Sequence, residues 1–427
     1  MNPLSTAIKG KGLAMLLRRG IALSKHYGLT PERMNAALAE LVALLQDFGC
    51  SATFPVTAVA LQRNPDAIRA YSDLGIEFAI HGYRHVDHLE LSLAEQMDQL
   101  ARATQVFERA GILCRGFRGP YLHTSRETLT AVHAHGLRYD SSQALSWDVL
   151  YGGTTPAYRH ALHFYEALPA SAHLALPRLE GDLVRIPYSL PDDEALVDRL
   201  SFGSMEQMCE PWIAILRRSH ELGELFVVGL HPERVYLCRE PLQALLSEAR
   251  QLGARLWIAR LAEVADWWWE RRQATIQVNE IEEDGFLVEV SGLDRLTVLV
   301  RGANVDAPTR PWGDGYEAVG ATTFAVASST RPCLGVSPEA SRLLPTFLRE
   351  QGYAFEISAE DRGYACYLNR TEFAVSEGRS IIAEIERVNR PLVRLGRWPN
   401  GARSALAITG DIDALTLWDY GWRYIGR

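Results

Sequence analysis

The sequence predicts an α/β protein: a parallel sheet, open or closed into a barrel, joined to a second, mainly antiparallel β domain. Three observations predict this. Strand-like and helix-period segments alternate over roughly the first 270 residues. Near residue 275 the pattern changes to alternating strands around Asp284-Gly285, a two-residue hairpin signal. After residue 400 it reverts to one more strand and a short aromatic-rich helix. The expected division is therefore 1–272 together with 400–427, and 275–395 between them.

The elements follow in order. Thr30-Pro31 opens a helix whose apolar face is Met34, Leu38, Leu41, Leu45 and Phe48, and Gly49 closes it. A strand is expected over Ser51–Ala60, a helix over Asn64–Leu74 and a strand over Ile76–Ile80. Ser92 and Glu95 form a capping box for a helix to Ala110, with Gly111 as terminator. Strands at Ile112–Phe117, Leu183–Pro187, Leu225–Leu230 and Arg255–Ile258 alternate with helices at Arg126–His135, Met205–Leu222, Pro241–Leu252 and Leu261–Arg272. The second domain holds strands at Thr275–Glu282, Phe286–Val290 and Leu296–Val300 and one helix, Ser337–Gly352. Gly396–Asn400 reads as a linker before a last strand, Ala405–Thr409. Trp267, Trp268 and Trp269 cannot share one helix side. At least one is expected at a domain or subunit interface, which leaves a homo-oligomer open. Trp312, Tyr316 and Phe324 read as core or as a platform for a sugar.

The chain has 427 residues, of which 47% are hydrophobic and 22% charged, and carries a net charge of −8. This excludes a disordered chain and argues against a general nucleic-acid binder. No apolar run is long enough to span a bilayer. The apolar stretch Gly12–Leu17 is too short for a signal-peptide core, so a cytoplasmic protein is expected, with contact at a membrane face left open. Cys50, Cys114, Cys209, Cys238, Cys333 and Cys366 are too dispersed for a zinc ribbon or a small disulfide framework.

Four fragments at strand ends can carry chemistry. His81-Gly-Tyr-Arg-His85 sets two imidazoles at a spacing that reaches one ion if the chain turns there, with His88 nearby as a surface residue. Arg118-Gly-Pro-Tyr121 offers a permanently charged fork to a carboxylate. His231, in Gly229-Leu-His-Pro232, lies where barrel enzymes place acid/base groups. Asp411-Ile-Asp413 supplies two carboxylates, one suited to bind a metal and one to act as base; the spacing allows either assignment. Each fragment alone also fits an ordinary turn.

Together, TGDID, HGYRH, RGPY and GLHP resemble the polysaccharide deacetylase family, the NodB-homology domain of carbohydrate esterase family four. The flanking SATFPVTA, LRYDSS and RLWIARLAEVADWW agree, and the β domain lies outside the resemblance. In that family the aspartate motif comes first, whereas here it comes last. Three accounts fit: a circular permutation, a strand swapped from a second subunit, or an accidental likeness of the tail. Permutation is the simplest. The resemblance then implies a seven-stranded, circularly permuted (β/α) barrel whose first strand comes from residues 400–427.

It also implies a mechanism. Asp413, His81 and His85 would hold a divalent metal, with Zn²⁺ expected and Co²⁺, Ni²⁺ or Fe²⁺ as alternatives. Asp411 would be the base and Arg118 would orient it. The Tyr121 N–H, in the turn stiffened by Pro120, would face the oxyanion. His231 would protonate the leaving amine. Asp140, Asp192 and Asp193 are the candidates for a partner carboxylate, with Asp193 ranked first. The implied activity is removal of N-acetyl groups from an amino sugar or glycan precursor, releasing acetate. Hydrolysis of another C–N bond, such as that of a cyclic ureide, and an inactive glycan-binding protein are the alternatives.

Overall fold

The computed structural model describes residues 27–150, 153–281, 285–361 and 363–421. The N-terminal stretch discussed above lies outside them. The main sheet runs in the order Leu225–Leu230, Ser404–Gly410, Thr53–Val56, Glu77–Ile80, Gly116–Phe117, Tyr139–Asp140, Leu183–Arg185 and Arg178–Glu180, and Leu256–Ile258 pairs with the second of these. All these pairings are parallel except the last in the order, Arg178–Glu180 against Leu183–Arg185. The result is a curled, open half-barrel with helices packed on it. The expected seven-stranded barrel is corrected to a 9-stranded sheet that stays open between Leu225–Leu230 and Arg178–Glu180.

The strand that comes last in the chain lies inside this sheet. Residues 405–410 pair in register with 225–230, Leu225 opposite Ala405 and Leu230 opposite Gly410. Its other edge takes Leu256–Ile258 at its start and Thr53 near its end. Every residue from Ser404 to Gly410 is buried. A strand covered on both faces needs no polar alternation, which is why Ala405 to Ile408 reads as an unbroken apolar run. The segment after it folds back on the start of the described chain: the Leu417 N–H donates to the Gly28 carbonyl at 2.9 Å.

Local signals fix many boundaries. Both halves of the Ser92–Glu95 capping box form, and Gly111 ends that helix at φ +69°. Other boundaries differ from expectation. The first strand stops at Val56, because Ala58–Arg63 is already helical. The expected Ile112–Phe117 strand is only Gly116–Phe117. The helix expected from Pro241 begins at Val235, with Pro241 buried inside it.

Residues 275–395 form two four-stranded sheets with antiparallel pairings and one three-stranded sheet in which Arg331–Val336 pairs in parallel with Phe355–Ile357 and Tyr364–Leu368. Ile281 pairs with Gly285, and residue 284 of the expected Asp284-Gly285 signal lies outside the described residues. A second helix, Gly378–Arg387, joins Leu343–Gln351; Ile381 and Ile385 lie on its buried face. The expected linker 396–400 is instead a packed joint. Trp398 is fully buried against Trp257 and Trp268, and the Trp267 indole N–H donates to the Arg397 carbonyl at 2.8 Å. Two of the three consecutive tryptophans serve this joint: Trp267 and Trp268 are buried in it, whereas Trp269 lies under the Arg272 guanidinium. Tyr316 and Phe324 are core, whereas Trp312 is half-buried.

Candidate active site

Parallel strands deliver their C-terminal ends to one rim, and that rim gathers the candidate residues. Strands ending at Ile80, Phe117, Leu230 and Gly410 hand over His81, Arg118, His231 and Asp411 in turn. Asp413 follows two residues later and turns its carboxylate toward the histidine pair. Its Oδ1 lies 3.4 Å from His81 Nε2 and 3.4 Å from His85 Nε2. One ligand atom from each of these buried residues falls within 4.8 Å of the others. Two ligand atoms each about 2.1 Å from a tetrahedral ion stand about 3.4 Å apart, so this nitrogen/oxygen set fits a divalent metal such as zinc.

The groups that hold the histidines favour the same use. His81 Nδ1 lies 2.8 Å from the Arg118 carbonyl. A carbonyl only accepts, so Nδ1 carries the proton and Nε2 keeps its lone pair toward Asp413. Gly82, at φ +76°, makes the turn between the histidines; a Cβ there would come within 2.7 Å of the Arg84 carbonyl. His88 is fully buried rather than on the surface, and burial pushes it down to about 4, so it packs as a neutral ring against Phe117.

Arg118 is completely buried. Its Nη1 donates to Asp411 Oδ1 at 2.7 Å and to Thr409 at 2.9 Å. Nε and Nη2 donate to the carbonyl and hydroxyl of Ser141, and the guanidinium lies over the Tyr188 ring. A buried arginine needs this much compensation, and the arrangement fixes which Asp411 oxygen remains for chemistry. Asp411 Oδ2 is 4.0 Å from His81 Nε2, on the edge of the same cluster.

His231 follows the strand that pairs directly with the one leading to Asp411. Its Nδ1 lies 2.8 Å from Asp193 Oδ1, while its own backbone N–H donates to Asp193 Oδ2 at 2.6 Å. Burial alone would lower its proton affinity. The Asp193 carboxylate outweighs that, with Glu233 and Asp413 adding to it, and holds His231 well above the ordinary imidazole value. Of the other two candidates, Asp140 pairs with Arg185 at 2.8 Å and accepts from Ser142. Asp192 accepts from Tyr188 and the Ala195 N–H. Neither partners His231.

Tyr121 carries φ +61°, a left-handed conformation that non-glycine residues adopt only under constraint. The constraint is local. Pro120 is buried, the Leu122 N–H bonds the Gly119 carbonyl, and Ser142 Oγ accepts the Gly119 N–H at 2.8 Å. The Tyr121 ring meets the His85 ring edge-on at 4.6 Å. Thr409, Ser141, Ser142 and Tyr188 were not singled out in the sequence. YDSS was read as flanking text and for Asp140, not for its serines, and nothing local marks Tyr188.

Comparison with known proteins adds a family to this geometry. Residues 24–139 match the polysaccharide deacetylase family model. The matched segment supplies His81, His85, Arg118 and Tyr121, while His231, Asp411 and Asp413 lie beyond it. A peptidoglycan deacetylase-like protein, FGM2, of Gibberella zeae is 28% identical over 111 residues, 25% of this chain and 33% of that relative. The match thus spans about a third of the curated relative's length. Among solved structures, a probable polysaccharide deacetylase from Pseudomonas aeruginosa has a TM-score of 0.44 at 22% identity, covering 54% of this chain and 72% of that one. PuuE allantoinase has a TM-score of 0.42 at 21% identity, with the same coverage. Among the described residues no helix is long and apolar enough to cross a membrane.

Proposed function

We propose that this chain is a metal-dependent hydrolase that removes N-acetyl groups from an amino sugar or glycan precursor and releases acetate. One observation carries the reading. His81, His85 and Asp413 form a buried metal-ligand set directly beside the Asp411–Arg118 pair, and His231–Asp193 faces the same rim. A divalent ion held there would polarise an acetamide carbonyl and acidify water. Asp411, held by Arg118, takes the proton from the attacking water. The Tyr121 N–H, presented by the constrained turn, stabilises negative charge on the acetamide oxygen. His231, kept protonated by Asp193, donates to the departing amine.

Two supporting readings accompany this one. Residues 27–272 and 400–421 are one unit and 275–395 an accessory unit, a circularly permuted arrangement supported by the pairing of 404–410 within the main sheet. All six cysteines are unpaired, which supports a reducing, cytoplasmic setting. The deciding test is acetate release from N-acetylhexosamine oligomers before and after chelation, with Zn²⁺, Co²⁺ and Ni²⁺ added back. Activity that disappears on chelation and returns with metal is expected. Turnover that survives complete metal removal would end the proposal.

A further inference from the structure

A second cleft opens on the other side of the sheet from the catalytic rim. It lies where Gly223 and Arg403, at the N-terminal ends of two central strands, meet the accessory sheets, and its volume is about 300 Å³. Strands of 6 and 7 residues separate those positions from His231 and Asp411, a distance of roughly 20 Å.

Arg397 lines this cleft and is itself only 7% exposed. Its Nη1 donates to the carbonyls of Leu222 and Gly223, at 2.9 and 3.4 Å. Nε is buried without a hydrogen-bond partner, and among the described residues the guanidinium forms no ion pair. The carboxylates around it are engaged elsewhere. Glu386 pairs with Arg301 at 2.7 Å and Arg394 at 2.9 Å, and also accepts from the Tyr316 and Tyr353 hydroxyls. Asp314 pairs with Arg403, and Glu221 with Arg218. Burial, and then the charge of Arg394, push Arg397 down to about 10, and burial, Arg394 and Arg397 push Arg271 down to about 9. The two carboxylates whose charge reaches Arg397, Glu224 and Glu386, are each bound to other cations, Glu224 to Arg379 and Glu386 to Arg301 and Arg394; a buried guanidinium with no direct ion pair is costly, and an entering anion would relieve that cost. Half-buried Trp312 lines the same cleft and offers an aromatic face.

We propose that this cleft binds an anionic saccharide, its carboxylate or phosphate on Arg397 and its ring against Trp312. The site is independent of the hydrolytic reading, because no residue of the catalytic rim lines it. Isothermal titration of the full chain with glucuronate, glucose 1-phosphate, inorganic phosphate and glucose tests it. At least one of the two acids is expected to bind at least tenfold more tightly than glucose; which one binds separates a carboxylate from a phosphate source. Arg397→Gln should weaken that acid at least tenfold, and Trp312→Ala should weaken it while leaving inorganic phosphate unchanged. Should Arg397→Gln fail to unfold cooperatively, Arg397→Lys, which keeps the charge but loses the fork, should still weaken the acid severalfold. Absence of binding by both acids, equal binding of glucose, or indifference of the bound acid to the Arg397 and Trp312 substitutions would each overturn the proposal.

Discussion

Asp413 is the only carboxylate whose oxygen approaches both imidazole nitrogens of the HGYRH turn to 3.4 Å among the described ion pairs. Asp413→Ala is therefore expected to lose bound metal and turnover together, read by elemental analysis and acetate release. A fully metallated, active variant would remove Asp413 from the ligand set. His231→Ala should keep its metal and lose about 10²–10⁴-fold in kcat. Because Asp193 raises the His231 pKa, the protonated acid persists above the ordinary value of about 6.5, and activity should fall as pH rises through the raised value. Stability follows the same sign: the pair's contribution is full below the unfolded-state pKa and is lost as pH rises through the folded one. Asp193→Asn removes the raising charge and leaves burial, so the basic limb should move to lower pH; an unmoved limb would exclude His231 as the titrating acid. At this scale the sequence was most legible where residues sit at short fixed spacing after a strand. Asp193 was one of three open choices, because its pairing with His231 spans 38 residues. Thr409 and Ser141 reach Arg118 across 291 and 23 residues, and no local pattern marks such partners.

Elements were legible where the signal is local. A capping box or a helix-ending glycine is written in four or five residues. Length was less so: residues 51–60 alternate like one strand, but the chain turns helical at Ala58, where the Ala58 and Val59 N–H groups bond the Gly82 and Tyr83 carbonyls. Pro241 reads as a helix start in the sequence, whereas burial of Val235, Cys238 and Leu242 on one face extends the helix upstream of it. The helix Gly378–Arg387 was missed, since its apolar face is only Ile381, Ile382 and Ile385. The strand 404–410 allows a sharp test. Deleting residues 405–427 removes both the middle of the sheet and Asp413, so the truncate should show neither cooperative unfolding nor acetate release. An active truncate would mean that the tail is dispensable.

The whole molecule rests on a joint that sequence reading took for a linker. Trp398 and Arg397 are buried there, held by Trp267, Trp268 and Gly223, and such pairing of distant segments is invisible in composition. Within the joint, Asn400 is exposed in a tight turn and offers a place to open the chain. Residues 417 and 28 already share a hydrogen bond, and the Tyr27 and Tyr420 rings lie 5.9 Å apart. A rearranged chain running 401–421, a short flexible bridge, then 27–400, should fold cooperatively, bind metal with unchanged stoichiometry and keep activity within about tenfold. A soluble, folded rearrangement without metal would argue against this route of the chain.

The position of 404–410 also bears on biosynthesis. Translation delivers residues 27–272 long before this strand, so the nascent half-barrel waits with the edges of 53–56 and 225–230 unsatisfied while the accessory sheets leave the ribosome. Such a gap invites pairing with other nascent chains, a hazard for holding chaperones to manage. It also keeps Asp413 away from His81 and His85 until late in synthesis, so the proposed metal-ligand set cannot form early.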